Sequence, residues 1–397
     1  MKIFLCECKK MMSFRIFWII FVCLFAINGY VQIDRINDRY YTPESYRSFF
    51  SETKDMSLEE IQDYTNEMLE RQNNGEYIEF PMMLVYDMSE LSKECENYPE
   101  YLNSIKEQTN NMSAVSIWGD SDTFSYRNIQ KTPSAYENLP AEPLPLAASF
   151  GLENTFTSPI TDFMGIFLVF LAVCGIILKD REHGITFLLS SMPKGRSSLI
   201  LSKLFAVSLF ASFVAVMLFA ENLVIGGALY GIGELQRPIQ SVFGFYQCNL
   251  AVSVGEFLLL FFILKIASYL LFAMIFSLIC TVSRNNLMIY GISGAVCTIA
   301  FLCYRLIPQN SVFQLFHDWN PIKFTQTAEI LGTYQNVNLF GYPVSLKISM
   351  IIIIVITIVS VILCCIFAVE KLNHVQYQSV RLLSLIHISE PTRHAQI

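Results

Sequence analysis

The stretch Met350-Ile351-Ile352-Ile353-Ile354-Val355-Ile356-Thr357-Ile358-Val359 holds one hydroxyl and no charge, and it lies inside an apolar run from Ile348 to Val369. A run of about 20 residues, rising 1.5 Å each as a helix, crosses the hydrocarbon core of a bilayer. Five further blocks have the same character: Phe14–Tyr30, Ile160–Leu178, Leu199–Ala220, Val254–Val282 and Leu287–Ile307. Lipid offers no partner to a backbone N–H or C=O, so each block is predicted to be a helix. The first follows Lys9-Lys10 and could be read as a signal peptide. Its exit, Ala26-Ile-Asn-Gly-Tyr-Val31, lacks the small-x-small cleavage pattern, and the run is long for a signal sequence, so an uncleaved anchor is expected.

Composition agrees. Of 397 residues, 53% are hydrophobic and only 15% charged, against about 25% charged in a typical soluble domain. The mean hydropathy is +0.43. An ordinary soluble enzyme is excluded. With the N-terminus placed inside, the short inner segments carry twelve Lys and Arg and the short outer loops four, Arg237, Arg305, Lys323 and Lys347. That bias puts both termini in the cytosol.

The fold class expected is therefore an α-helical polytopic membrane protein of six transmembrane helices, with an α+β extracellular domain between helices one and two. In order, residues 1–13 form a cytosolic element, 14–30 helix one, 31–159 the extracellular domain, 160–178 helix two, 179–198 a cytosolic segment, 199–369 helices three to six and 370–382 a cytosolic tail. The domain carries 23 Asp and Glu against 9 Lys and Arg, a net charge of −14 in a chain of −7, so the remainder is positive. Ser57-Leu-Glu-Glu60 reads as a capping box opening a helix toward Gln72. Tyr77–Tyr86 and Met112–Trp118, rich in aromatic and β-branched residues, read as strands, with Tyr98–Gln108 helical between them. Pro133–Pro145, with four prolines, reads as an extended leash.

The motif search excludes several chemistries. There is no G-x-x-x-x-G-K-[ST] loop, no H-E-x-x-H pair and no G-x-S-x-G elbow. Eleven cysteines are present, but spacing supports neither a disulfide frame nor a zinc site, and no metal is expected. No nucleic-acid partner is expected.

The most informative loop runs from Lys179 to Lys203. Asp180, Arg181, Glu182 and His183 make a charged start, Ile185, Leu188, Leu189 and Met192 share one helical face, and Pro193 with Gly195 breaks the helix. Such a short amphipathic helix suits docking of a soluble partner or simply lying in the headgroups.

The pattern Glu182-x-Gly184, Leu188-Leu189, Ser191-x-Pro193-x-x-Arg196, closing at Lys203, resembles the coupling segment of type-2 ABC exporter permeases. Glu7-Cys-Lys-Lys10, Asn320-Pro-Ile322 and Asn338-Leu-Phe-Gly-Tyr-Pro343 extend the resemblance from Met1 to about Leu382, toward permeases of this kind from Gram-positive gut bacteria. The resemblance implies that Glu182 contacts a separate cytosolic ABC ATPase and that Leu188 and Leu189 fill its apolar groove. It places Gly184 and Pro193 in the same segment, with Arg196 and Lys203 anchored at the headgroups. It further implies no cofactor on this chain, ATP on the partner subunit, a second permease chain and export of a peptide, lipid or drug-like substrate across the bacterial plasma membrane. A reading from another class is a non-transporting sensor whose acidic domain binds a peptide.

Lys265, about eleven residues into helix four, reads as lying near the bilayer middle and paired inside the bundle, with Glu221 and Glu256 as candidate partners. Gly226, Gly227, Gly231 and Gly233 suggest a turn after helix three. Leu383–Arg393 resembles the translation of a transposase-based sequencing adaptor, so residues 383–397 carry no functional reading.

Overall fold

The computed structural model describes residues 2–37, 40–114, 122–182, 196–283, 285–308, 311 and 313–389, with side chains described except at 2, 36, 37, 113, 114, 181, 182, 196 and 370–389. The chain is mostly helical. α1 (Lys2–Met12) precedes α2 (Arg15–Asn37), the first of six helices long and apolar enough to cross a membrane. The second is α9 (Pro159–Val173), continued by a π turn at Cys174–Leu178 and by α10 (Lys179–Glu182). The remaining four are α11 (Arg196–Tyr230), α12 (Val254–Val282), α13 (Asn286–Leu306) and α17 (Leu346–Ser389).

The expected blocks are all present; α12 keeps its expected bounds, while α11 and α17 run beyond theirs at both ends. The apolar stretch in α11 covers 34 residues, roughly 50 Å at 1.5 Å per residue, well beyond the ~30 Å of a hydrocarbon core. Its surplus length stands among the elements of residues 31–159. Tyr230 at its end meets Tyr46 edge to face at 5.2 Å, and Tyr46 stacks on Phe150 at 4.7 Å. Gly151 and Gly226 let two backbones touch there, since a Cβ on Gly226 would lie 2.4 Å from the Gly151 carbonyl oxygen. The helix stops at Gly231 and Gly233, whose φ of 79° and 63° only glycine adopts freely. Gly226 and Gly227 are helical, so the expected turn begins at Gly231, in the second half of the glycine cluster.

Between α2 and α9 lie α3 (Pro43–Glu52), α4 (Leu58–Asn73), α5 (Met82–Glu96), α6 (Tyr98–Ala114), α7 (Phe124–Tyr136) and α8 (Phe150–Phe156). The capping box opens α4: the Glu60 N–H donates to Ser57 Oγ at 3.2 Å and the Ser57 N–H to Glu60 Oε2 at 2.7 Å. The strand expected at Tyr77–Tyr86 is replaced by a short extended lead and α5. Leu84, Val85 and Met88 fall on one helical face and are fully buried, so tertiary packing overrode the aromatic and β-branched bias. The strand expected at Met112–Trp118 is not formed at Met112, which belongs to α6, and residues 115–118 lie outside the described ones. Pro133 sits inside α7 rather than in a leash, which begins only after Tyr136.

Among the described residues, the strands lie elsewhere. After α14 (Gln314–Asp318), α15 (Pro321–Thr325) and α16 (Thr327–Gly332), β1 (Asn336–Leu339) pairs antiparallel with β2 (Tyr342–Ser345), Val337 opposite Val344. This hairpin leads straight into α17 and is held to α7. Arg127 Nη1 donates to Gly341 O at 3.1 Å, Lys131 Nζ to Pro343 O at 2.9 Å and Asn336 Nδ2 to Asn128 Oδ1 at 2.7 Å.

Candidate functional site

Two charged clusters lie toward opposite ends of α9 and its continuation through α10. The first lies at α10, directly before residues 183–195. Asp180 is 4% exposed, yet it faces two ammonium groups from two other elements. Lys10 of α1 bonds Asp180 Oδ1 at 2.6 Å, and Lys203 of α11 bonds Oδ2. Lys10 also meets Glu7 Oε2 at 3.0 Å. Ile176 O, inside the π turn, accepts from Lys10 at 2.9 Å and from Lys203 at 3.3 Å. π turns recur at functional sites because the wider register redirects carbonyls from their usual partners.

α1 is pressed against this turn. A Cβ at Gly175 would lie 2.5 Å from the Phe14 ring, and the Lys179 ammonium sits 4.7 Å from that ring's centroid. Burial pushes the Asp180 carboxyl up, but hydrogen bonds and charge from Lys10 and Lys203 outweigh it and hold it below the ordinary carboxylate range. A depressed carboxyl contributes stability above its ordinary pKa of about 3.9 and loses it as pH falls through the folded value. α1 is therefore expected to stay docked at pH 5 and to be released only in stronger acid. Hydrogen exchange at the α1 amides against pH checks this.

The second cluster joins α9, α12 and α15 at the first turn of α9. Lys265, 1% exposed, donates to Asp162 Oδ1 at 2.8 Å and Oδ2 at 2.9 Å. It also donates to Thr325 O and lies 4.2 Å from the Phe219 ring centroid. Ser268 Oγ adds a 2.6 Å bond to Phe324 O. Gly165 keeps this crossing close, because a Cβ there would meet the Tyr269 hydroxyl oxygen at 2.1 Å. Neither expected partner of Lys265 is used. Glu221 Oε2 accepts from Asn28 Nδ2 at 2.9 Å, and Glu256 closes a capping box with Ser253 at the start of α12. The partner Lys265 takes instead, Asp162, lies in the first turn of α9.

A polar seam runs beside this pair. Asn28 Nδ2 donates to Asn222 Oδ1 at 2.7 Å, Thr161 Oγ1 to Asn28 Oδ1 at 2.6 Å, and Gln32 Nε2 to Ser158 Oγ at 2.6 Å. It stitches α2, α9 and α11 together one residue away from Asp162.

Of the residues singled out in the coupling segment, Gly184, Leu188, Leu189 and Pro193 lie outside the described ones. Glu182 ends α10 and Arg196 begins α11, their side chains undescribed. Lys203 does not reach the headgroups: it is 5% exposed and bound to Asp180. Asp162 and Asp180 were missed as site residues. The signal for Asp162 was present, since a carboxylate two residues into an apolar block needs a buried partner and Lys265 needs one too.

Among the described residues, six helices long and apolar enough to cross a membrane define a multi-pass membrane protein. The chain belongs to the ABC-2 family transporter proteins, whose family model matches residues 1–368. Neither the curated proteins nor the solved structures yield a match to it.

Proposed function

We propose that this chain is the membrane-spanning subunit of an ATP-driven exporter in a bacterial plasma membrane. A separate cytosolic ABC ATPase hydrolyses ATP and drives it through the loop that follows Asp180. The observation that carries the reading is the Asp180 cluster within a chain of this family. One carboxylate, two residues before Glu182, gathers ammonium groups from α1 and α11. Any displacement of the loop by a partner then reaches the N-terminal helix and the third span together. Lys and Arg concentrate at that end, which supports placing both termini in the cytosol and residues 31–159 outside. Because two ATPase subunits must be engaged in one cycle, the working unit holds two permease chains.

Co-purification of the full chain in mild detergent tests this. A nucleotide-binding subunit should be recovered with it. Glu182→Lys, which reverses the charge of the polar contact, should reduce that recovery by about tenfold, the equivalent of ~1.4 kcal/mol. Equal recovery with both chains would count against the role of Glu182, and no recovery with either against the partner.

A further inference from the structure

The first turns of α5 present an apolar face that none of the described residues covers. Met82 is 50% exposed, Met83 43% and Tyr86 49%, and Tyr77 in the preceding segment is 86% exposed. The opposite face of the same helix is packed, with Leu84, Val85 and Met88 fully buried, so the exposed residues are not unfolded core. Methionines and tyrosine together make an adaptable contact surface: Met refits its shape to a partner and Tyr contributes area at small entropic cost.

Charge decides what fits there. Glu79, Glu90 and Glu94 are exposed near the patch; the nearby cations are Lys93 on α5 and Arg71 of α4, the latter paired with Glu76 beside Tyr77, and the segment of residues 31–159 carries −14 overall. Burial pushes the Glu94 carboxyl above the ordinary carboxylate range, and the adjacent Glu90 adds to it. A bilayer rich in anionic lipid would be repelled, since surfaces built for it carry Lys and Arg. A second copy of this chain meeting the patch symmetrically would bring the same acidic rim against itself. A partner with apolar side chains and surplus positive charge satisfies both features.

We propose that Met82, Met83, Tyr86 and Tyr77, ringed by Glu79, Glu90 and Glu94, form a docking surface for a cationic amphipathic peptide. The apolar side of the peptide covers the methionines and its Lys or Arg residues pair with the rim. This goes beyond the permease reading and does not require it, because binding is measured on the full chain without an ATPase.

The probe is an 18-residue leucine–lysine peptide of helical periodicity carrying a photoreactive benzophenone. The full chain is held in nanodiscs of zwitterionic lipid, with empty nanodiscs as control. Crosslinks should map to residues 77–90, and 1 M salt should weaken binding. Glu79→Lys with Glu90→Lys should lower affinity by about tenfold or more, as should Met83→Ser with Tyr86→Ser. All four positions are exposed, so unchanged thermal midpoints show that each variant remains folded. Several results would overturn the proposal. They are equal binding of a leucine–glutamate peptide, crosslinks elsewhere on the chain, capture by empty nanodiscs matching the loaded ones, or self-association of the chain that Met83→Ser with Tyr86→Ser abolishes.

Discussion

Replacing Lys265 with methionine will destabilise the folded chain by about 3–5 kcal/mol, because it leaves the Asp162 carboxylate buried with no cation. Asp162 is 4% exposed and takes both of its short bonds from Lys265, with only a 3.5 Å contact from the Tyr269 hydroxyl besides. Asp162→Leu combined with Lys265→Met removes both charges and should recover most of the loss, since an apolar pair of similar volume replaces a buried ion pair at little net cost. Unfolding midpoints of the three variants in detergent measure this. The double variant also separates a structural pair from a transport residue. With the pair acting as a clamp between α9, α12 and α15, the double variant folds and still supports substrate movement. A double variant that folds as well as the parent but moves nothing would assign the pair to the path instead.

The second large effect is expected at Asp180. Asp180→Asn keeps the side chain's size but removes the charge that Lys10 and Lys203 share, leaving two ammonium groups facing each other around Ile176 O. Breaking a buried charge cluster by deleting one sign costs on the order of 3 kcal/mol. The loop itself is unaltered, so a nucleotide-binding partner should still be captured. What should fail is transmission: ATP hydrolysis in a reconstituted complex should continue while transport falls by about 100-fold or more, as a coupling loss near 3 kcal/mol implies. Hydrolysis and transport falling in parallel would indicate that Asp180 serves only to hold the fold.

The six spans were legible because their signal is additive. Val254–Val282 could be read to the residue, since a polar cap at Ser253 and Glu256 bounds an unbroken apolar run. The capping box of α4 was legible for a related reason, as its chemistry lies within four residues. What failed depends on distant partners. Tyr77–Tyr86 has the composition of a strand, but its side chains are sorted by packing against Phe49, Tyr230 and neighbouring residues, which no local pattern reveals. The hairpin at Asn336–Ser345 went unread because Phe340-Gly341 is not one of the commonest turn pairs; Phe340 takes φ 52°, a conformation that bulky residues rarely adopt.

The candidate site divides in the same way. The loop after α10 stood out by its sequence pattern, yet the residue that anchors it, Asp180, was legible only as part of a charged start. Its partners lie 170 positions before it and 23 after it, on α1 and α11. Lys265 was recognised as buried and paired, because a cation inside an apolar helix has few alternatives. Its partner was misassigned to Glu221 because proximity to a helix end was weighed above depth in the fold. Asp162 lies in the first turn of α9, and Lys265 lies about 17 Å along α12 at 1.5 Å per residue. Two helices starting at different heights bring these residues level.

Under the proposed function, residues 183–195 meet a cytosolic ATPase. A photoreactive residue placed at Leu188 in the full chain, activated in intact cells, tests that contact directly. It should link to a protein bearing nucleotide-binding motifs, and the same probe at Tyr77 should not. Capture of that protein from Tyr77 and not from Leu188 would contradict the account, because it would place residues 31–159 on the ATPase side of the membrane.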